Sequence, residues 1–483
     1  MISLAGIEAF IRSPRPTLRR LSPSTCLRTT TIYAQQRAAL AGITVGQSGM
    51  LIEQEPDLRM SLYNASLYPK RPGNVNPLLH ALLLPVFAVL VAFNTVAAGA
   101  ILLLSILLQG GRRLLALIPG LATLGNGIVE RYHALVQRLA NRILKDPRDE
   151  PILAAAITLG LTAFPVLGLQ LVLQEIVWPL VLAFYAFVYG PNIRAFVRSF
   201  SAMHQEGHRR GGIFKGDSRC ETWTGNTFLY IFFAVPLGLV PHATAHLQQH
   251  HRENTGPLDI YATARYNHAN AWHFMVYMVR EVMYQQFMIS PYLYFKSRRK
   301  TAQMRSMVMG NLIYFGLLAL LALYSWQIAV LYMLIPWGAS NFLMGVIHWA
   351  QHAFYGGQQD PKDFMCNTTT LLETPVNVLN EGYHVCHHHW ANVHWSESPA
   401  LFEKIKPEMK ASRSMVFRDL SVLDLFLLMM LRRFDTLAAK LDWWEPMSHA
   451  EKVELLKQRV QPAPIAEQEK DFHRHTLTKN AAA

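Results

Sequence analysis

The chain has 483 residues, 51% hydrophobic and 16% charged, with a formal charge of +13 at pH 7. It is too apolar for an ordinary soluble domain and too interrupted to lie in a membrane throughout. The basic residues flank apolar segments and form no recognition stripe, so the charge points to an anionic leaflet and no nucleic-acid partner is expected.

Residues 1–72 read as a basic arm. Its first fifty residues carry Arg12, Arg15, Arg19, Arg20, Arg28 and Arg37 against the single acid Glu8. This is the composition of a mitochondrial or plastid transit peptide and equally of a disordered cytosolic arm. Residues 73–150 follow as an apolar segment and a basic amphipathic helix. The apolar run Leu78 to Leu108 contains Pro85 and has the length of one tilted span or a bent hairpin. From Gly110 to Glu150 the basic residues Arg112, Arg131, Arg138 and Arg142 accompany Ile128, Leu135, Leu139 and Ile143 at helical spacing, the pattern of a helix on the membrane surface.

Residues 151–402 read as a core built on two apolar pairs. Ile152 to Leu173 and Ile176 to Phe196 are separated by Gln174 and Glu175; Met307 to Tyr324 and Ile328 to Ile347 turn at Ser325, Trp326 and Gln327. Each pair is expected to cross the membrane and return, delivering the residues that follow to one face. Phe228 to Val240 is too short for a span and reads as re-entrant or interfacial, because a crossing there would place the two hairpins' products on opposite faces. Tyr261 to Arg299 reads as interfacial helices ending on Lys296, Arg298 and Arg299. Residues 403–483 form a helical tail, with Pro462 to Ala483 expected to be disordered. Cys26, Cys220, Cys366 and Cys386 show no paired spacing, so no disulfide framework is expected.

Fifteen histidines fall between His204 and His394, and ten form four clusters: His204/His208, His246/His250/His251, His348/His352 and His384/His387/His388. Pairs spaced i, i+4 share a helix face and can close on one ion, whereas adjacent histidines diverge and serve two ions or two corners of one site. Ten imidazoles exceed what one tetrahedral zinc takes, so two metal ions are expected. Imidazole suits iron, copper and zinc alike. Glu206, Glu253, Asp259 and Glu381 lie among the clusters as groups that can orient imidazole N–H bonds or balance charge. His242, His389 and His394 read as structural or outer residues, and His268 and His273 as surface or packing residues. A metal transporter would place such groups in the middle of spans, and a bis-histidine haem protein would need one per facing helix, whereas these clusters lie beyond the helix ends.

The order His204-Gln-Glu-Gly-His208, His246-Leu-Gln-Gln-His250-His251 and His384-Val-Cys-His387-His388 resembles the three histidine boxes of the membrane-bound fatty acid desaturase and hydroxylase superfamily. Asn254 and Asp259 after the second box, Gly382-Tyr383 before the third, and Asn392 and Trp395 after it extend the likeness. His352, with His348 one turn earlier, occupies the place of the further ligand at the end of the last core helix. The longer spacing in the second box, Ala391 and His394 where prolines are usual, and the run His387-His388-His389 depart from the pattern.

The resemblance implies an all-α integral membrane fold: two transmembrane hairpins, the N-terminal apolar segment, and a cytosolic-side helical cap holding a di-metal site. It implies two non-haem Fe2+ ions on His204, His208, His246, His250, His251, His348, His352, His384, His387 and His388, with Asn254, Asp259 and Glu381 behind them. It implies an oxidoreductase that activates O2 and introduces a double bond into a lipid acyl chain; the superfamily also contains hydroxylases and ketolases of long aliphatic or isoprenoid substrates. No haem, flavin or dinucleotide motif is present, so electrons are expected from an external donor of the cytochrome b5 or ferredoxin type, with Arg209, Arg210, Lys215, Lys296, Arg298 and Arg299 as cations for docking an acidic carrier or, equally, lipid phosphates. The location would be the endoplasmic reticulum or an organelle membrane in a eukaryote, the inner membrane in a bacterium.

Overall fold

The computed structural model describes residues 43–45, 51–53, 77–118, 120–208, 212–215, 233, 236–238, 245–251, 259, 261, 263–264, 266–297, 299–355 and 364–462. Most of the basic arm and of the Phe228 to Val240 segment, the C-terminal residues beyond 462, Cys26, Arg209, Arg210, Cys220, His242, Glu253, Asn254 and Arg298 lie outside these residues. The chain forms two compact units, Met1–Leu58 and Arg59–Ala483. In the first, β1 (Ile43–Val45) pairs antiparallel with β2 (Leu51–Glu53).

In the second unit, α1 (Pro77–Leu115) runs unbroken through Pro85, so the first apolar segment is one helix rather than a bent hairpin. At 1.5 Å per residue it is about 58 Å long, well beyond a bilayer's hydrocarbon thickness. The basic helix α2 (Leu121–Ile143) buries only Val136 and Ala140, leaving Ile128 and Leu135 more than half exposed, as an interfacial helix requires.

The first hairpin comprises α3 (Glu150–Leu161) and α4 (Ala163–Leu173), then α5 (Trp178–Val188) and α6 (Arg194–His208). Buried Gln170 closes its turn, donating to the Glu175 carbonyl at 2.5 Å and accepting from Val177 N at 3.1 Å. Next come α7 (Ala271–Tyr277), a π-helical turn, α8 (Met283–Gln286) and α9 (Ile289–Ser297). This stretch is less interfacial than its composition suggests. Phe274, Tyr277, Met278, Val282, Met283 and Tyr284 lie in the core, and Trp272 faces out.

The second hairpin is α10 (Thr301–Tyr324), then α11 (Trp326–Ala329), a π-helical turn and α12 (Ile335–Gln351). Tyrosine hydroxyls staple the hairpins: Tyr185 donates to Leu331 O at 2.6 Å, Tyr189 to Pro336 O at 3.2 Å and Tyr324 to Leu171 O at 2.7 Å. α1 packs along α12, where a Cβ on Gly338 would come within 2.5 Å of Asn94 Oδ1. Among the described residues, five helical stretches are long and apolar enough to cross a membrane, at 81–115, 147–173, 178–208, 301–324 and 326–351. Their outward Leu103, Leu161, Val172, Leu320 and Leu323 are more than half exposed, the surface that lipid tails cover.

Beyond the hairpins, β3 (Thr370–Leu372) precedes α13 (His384–His389) and α14 (Ser398–Ala411), and pairs in parallel with β4 (Val416–Arg418). Helices α15 (Val422–Met430), α16 (Phe434–Lys440) and α17 (His449–Arg459) complete the described chain; Ser421 and Ser448 cap α15 and α17 with reciprocal Asp424 and Glu451 contacts.

Candidate metal centre

The long apolar helices do not stop where hydropathy falls. α6 continues past Phe196 to His208, and α12 runs through His348 to Gln351, with His352 at its C-cap. Both hairpins therefore present imidazoles on rigid helix ends. The second histidine segment forms a π-helical turn, His246–His250, with His251 as its C-cap. The wider turn makes His246 and His251 neighbours, their Nε2 atoms 3.0 Å apart, and sends His250 to other partners. An i, i+4 reading missed this pairing; π-turns concentrate at functional sites.

The ten histidines converge in overlapping groups. His204, His208, His246, His251 and His387 bring one ring nitrogen each within 4.8 Å of one another, as do His246, His250 and His348, and separately His250, His352 and His388. His384 joins through its Nε2, 3.3 Å from His352 Nε2, and its ring lies 4.5 Å from that of His388. His389 stays outside, half-buried against Trp390 at 5.6 Å.

The donor chemistry fits cations at these positions. The Nε2 atoms of His208, His204, His246 and His251 follow one another at 3.1, 2.8 and 3.0 Å. A ring nitrogen has one in-plane direction, occupied by a proton or a lone pair, so three successive contacts cannot all be good hydrogen bonds. Lone pairs turned on a shared cation remove the conflict. His250 is equally telling: its Nδ1 lies 2.7 Å from Asp259 Oδ2, while its buried Nε2 has no hydrogen-bond partner. His387 Nε2 and both nitrogens of His388 are likewise buried without partners. Burial, reinforced by the neighbouring imidazoles, holds His251, His352, His384, His387 and His388 well below the ordinary histidine pKa. They stay neutral, the form that binds metal.

Fixed acceptors stand behind the rings. Asp259 is fully buried and also accepts from Tyr261 N at 2.9 Å. Glu381 Oε1 lies 3.2 Å from His204 Nδ1, close enough for ion pairing but without hydrogen-bond alignment. His352 Nδ1 donates to the Asn367 carbonyl at 3.1 Å, and Tyr261 stacks on His348 at 3.8 Å between ring centroids. Neither Asn367, acting through its main chain, nor Tyr261 was marked by the sequence pattern. His394 is structural: its Nε2 meets Asp149 Oδ1 at 3.1 Å, and Trp395 Nε1 donates to the same oxygen, tying the third histidine segment to the start of the first hairpin. Of the two readings open for His268, surface or packing, the structure takes packing. His268 is fully buried between Trp349 and Tyr355, neither ring nitrogen has a partner, and burial pushes its pKa down to about 3. The aromatic stretch that carries it folds inward, so its polar ring goes with it. His273 is likewise a packing residue, and its Nδ1 accepts from Asn267 N at 2.9 Å.

Residues 176–419, just over half of the chain, match the family model described as fatty acid desaturase. No curated protein and no solved structure matches the chain. The match covers α5, α6, both hairpin ends and all three histidine segments, and with the five apolar helices it makes the chain a membrane oxidoreductase. The chain belongs to the fatty acid desaturase family.

Proposed function

We propose that the chain introduces a double bond into a lipid acyl chain at a di-iron centre. His204, His208, His246, His250, His251, His348, His352, His384, His387 and His388 hold the two iron ions, with Asp259 and Glu381 orienting the rings. The observation that carries this reading is the convergence of ten imidazoles, eight of them buried and His208 and His251 partly so, from four separate segments at the ends of two apolar hairpins. Bound there, a reduced iron pair supplies the O2 activation needed to remove hydrogen from an unactivated C–H bond. The net conversion takes –CH2–CH2–, O2, two electrons and two protons to –CH=CH– and two waters. The electrons come from an external donor of the cytochrome b5 or ferredoxin type.

The chain's own groups set the conditions. Asp259 fixes the proton of His250 on Nδ1 and leaves Nε2 for metal; the Asn367 carbonyl does the same for His352. Neutral ligands keep the positive charge of the metals undiminished for reduced oxygen species. The surrounding burial excludes water from the oxidant. In this reading residues 151–402 are the catalytic core and 403–483 the tail; the basic arm serves as a mitochondrial or plastid transit peptide, the alternative locations being the endoplasmic reticulum or a bacterial inner membrane.

The test is chemical. A deuterated saturated fatty acid is fed to cells expressing the chain or its His387→Ala variant, and lipids are compared by mass spectrometry. A product lighter by two deuterium atoms, absent from the variant, supports desaturation. A product that gains oxygen and loses one deuterium assigns the chain to the hydroxylases, and no new product defeats the reading.

A further inference from the structure

A cavity of about 280 Å³ opens where the end of α1 meets the corner before α6, between Gln109 and Arg112 on one side and Asn192, Arg194 and Arg198 on the other. Its charge is uncompensated. Among the described residues none of the three arginines has a carboxylate within ion-pair distance. Glu150, at the start of α3, is engaged by His133 Nδ1 at 2.9 Å. Arg194 donates one bond, to Pro375 O at 3.1 Å, and keeps its other donors.

Two further features make the corner unfavourable on its own. Arg194 and Arg198 occupy the first turns of α6, which has no acid in its first turn, so cations stand where the helix dipole favours anions. The turn beside the cavity is also strained: Asn192, which lines it, and Ile193, which does not, have φ of 54° and 47°, a region the β-branched Ile193 in particular avoids. A Cβ on Gly190, at φ 68°, would come within 2.9 Å of Ala195 Cβ, so the turn admits no larger residue. An anion would offset the repulsion, and guanidinium groups match phosphate oxygens in fork geometry. Arg112 lies in the last turn of a span whose Ile106, Leu107, Leu114 and Leu115 are more than half exposed and apolar. A phosphate carried on an acyl-bearing molecule would satisfy charge and apolar surface together.

We propose that this cavity binds the phosphate of an anionic membrane lipid through Arg112, Arg194 and Arg198. Arg198 precedes His204 by six residues on α6, about 9 Å along its axis, so the lipid lies outside the histidine constellation. The phosphate joins α1 to α6, and Arg194 extends the link to the segment that leads into the third histidine box. The bound lipid thereby holds those elements together.

The full-length protein is reconstituted in nanodiscs of phosphatidylcholine alone or with phosphatidylglycerol, and its thermal midpoint is measured. Native mass spectrometry counts retained lipid. The expected result is an upward shift of about 2 °C or more with the anionic lipid and a retained phosphatidylglycerol. Both are lost in Arg112→Gln/Arg198→Gln and kept in Arg113→Gln, which removes the neighbouring charge without touching the cavity. Equal behaviour of the double variant and Arg113→Gln overturns the proposal as a general charge effect. In detergent, a shift of the same size with inorganic phosphate alone overturns the lipid source. These readouts do not depend on iron or turnover, so this proposal and the desaturase reading fail separately.

Discussion

His250 Nδ1 lies 2.7 Å from Asp259 Oδ2, and both side chains are fully buried. The carboxylate can only accept here, so the ring proton stays on Nδ1 and the lone pair on Nε2. Asp259→Asn preserves the shape but can turn an amide N–H towards that proton. Relief comes if the ring shifts its proton to Nε2, which removes a metal-binding lone pair. The variant is expected to bind iron about 10–100-fold more weakly. Iron per chain after graded chelation measures this, and full retention would remove Asp259 from the set of orienting groups.

The register of the third histidine box supplies the next expectation. The His388 ring lies 4.8, 4.4, 4.9 and 4.5 Å from those of His250, His251, His352 and His384, whereas His389 turns to Trp390. His388→Ala should lose most bound iron and all turnover, and His389→Ala should keep both. Equal loss in the two variants would place the box one residue along.

The helix ends and histidine clusters were legible because hydropathy and i, i+4 spacing are local properties. Hydropathy under-reported α6, since it records where lipid stops and not where helical hydrogen bonding stops; the helix runs on from Phe196 to His208. The partnership of His246 with His251 was invisible to a 3.6-residue period because the backbone there takes a π-turn. The Asn367 carbonyl leaves no trace in residue identity, and Asp149 meets His394 across 245 positions of sequence. The sequence left His268 open between surface and packing because a polar ring among aromatics has the composition of an interface whichever way the segment faces.

That buried ring predicts a pH dependence. The folded-state pKa of His268 is pushed down to about 3, below an ordinary value of about 6.5. Above pH 6.5 the ring is neutral in both folded and unfolded chains and adds no slope. Between the two values the unfolded chain binds the extra proton, so stability falls as pH drops, by about 1.4 kcal/mol per unit. Because neither nitrogen has a partner, His268→Phe should hold or raise the thermal midpoint at pH 7 and flatten its decline towards pH 5. A large loss at pH 7 with an unchanged decline would contradict this.

The last prediction concerns how the third box is aimed. Gly382 lies two residues before His384, and its carbonyl accepts from Leu371 N at 2.8 Å, locking the box to β3. A Cβ at Gly382 would come within 2.2 Å of the Leu371 carbonyl oxygen, a main-chain atom that cannot swing aside. Gly382→Ala must therefore push β3 away from the segment leading to His384, His387 and His388, at a cost of about 1–3 kcal/mol in strain. Because β3 is held by its pairing with β4, the displacement falls on the segment leading into α13. Iron content should drop while far-ultraviolet circular dichroism keeps its helical signal. Gly316→Ala, at a helical position with open space around its Cβ, should change neither. Normal iron in Gly382→Ala would show that this contact does not aim the box.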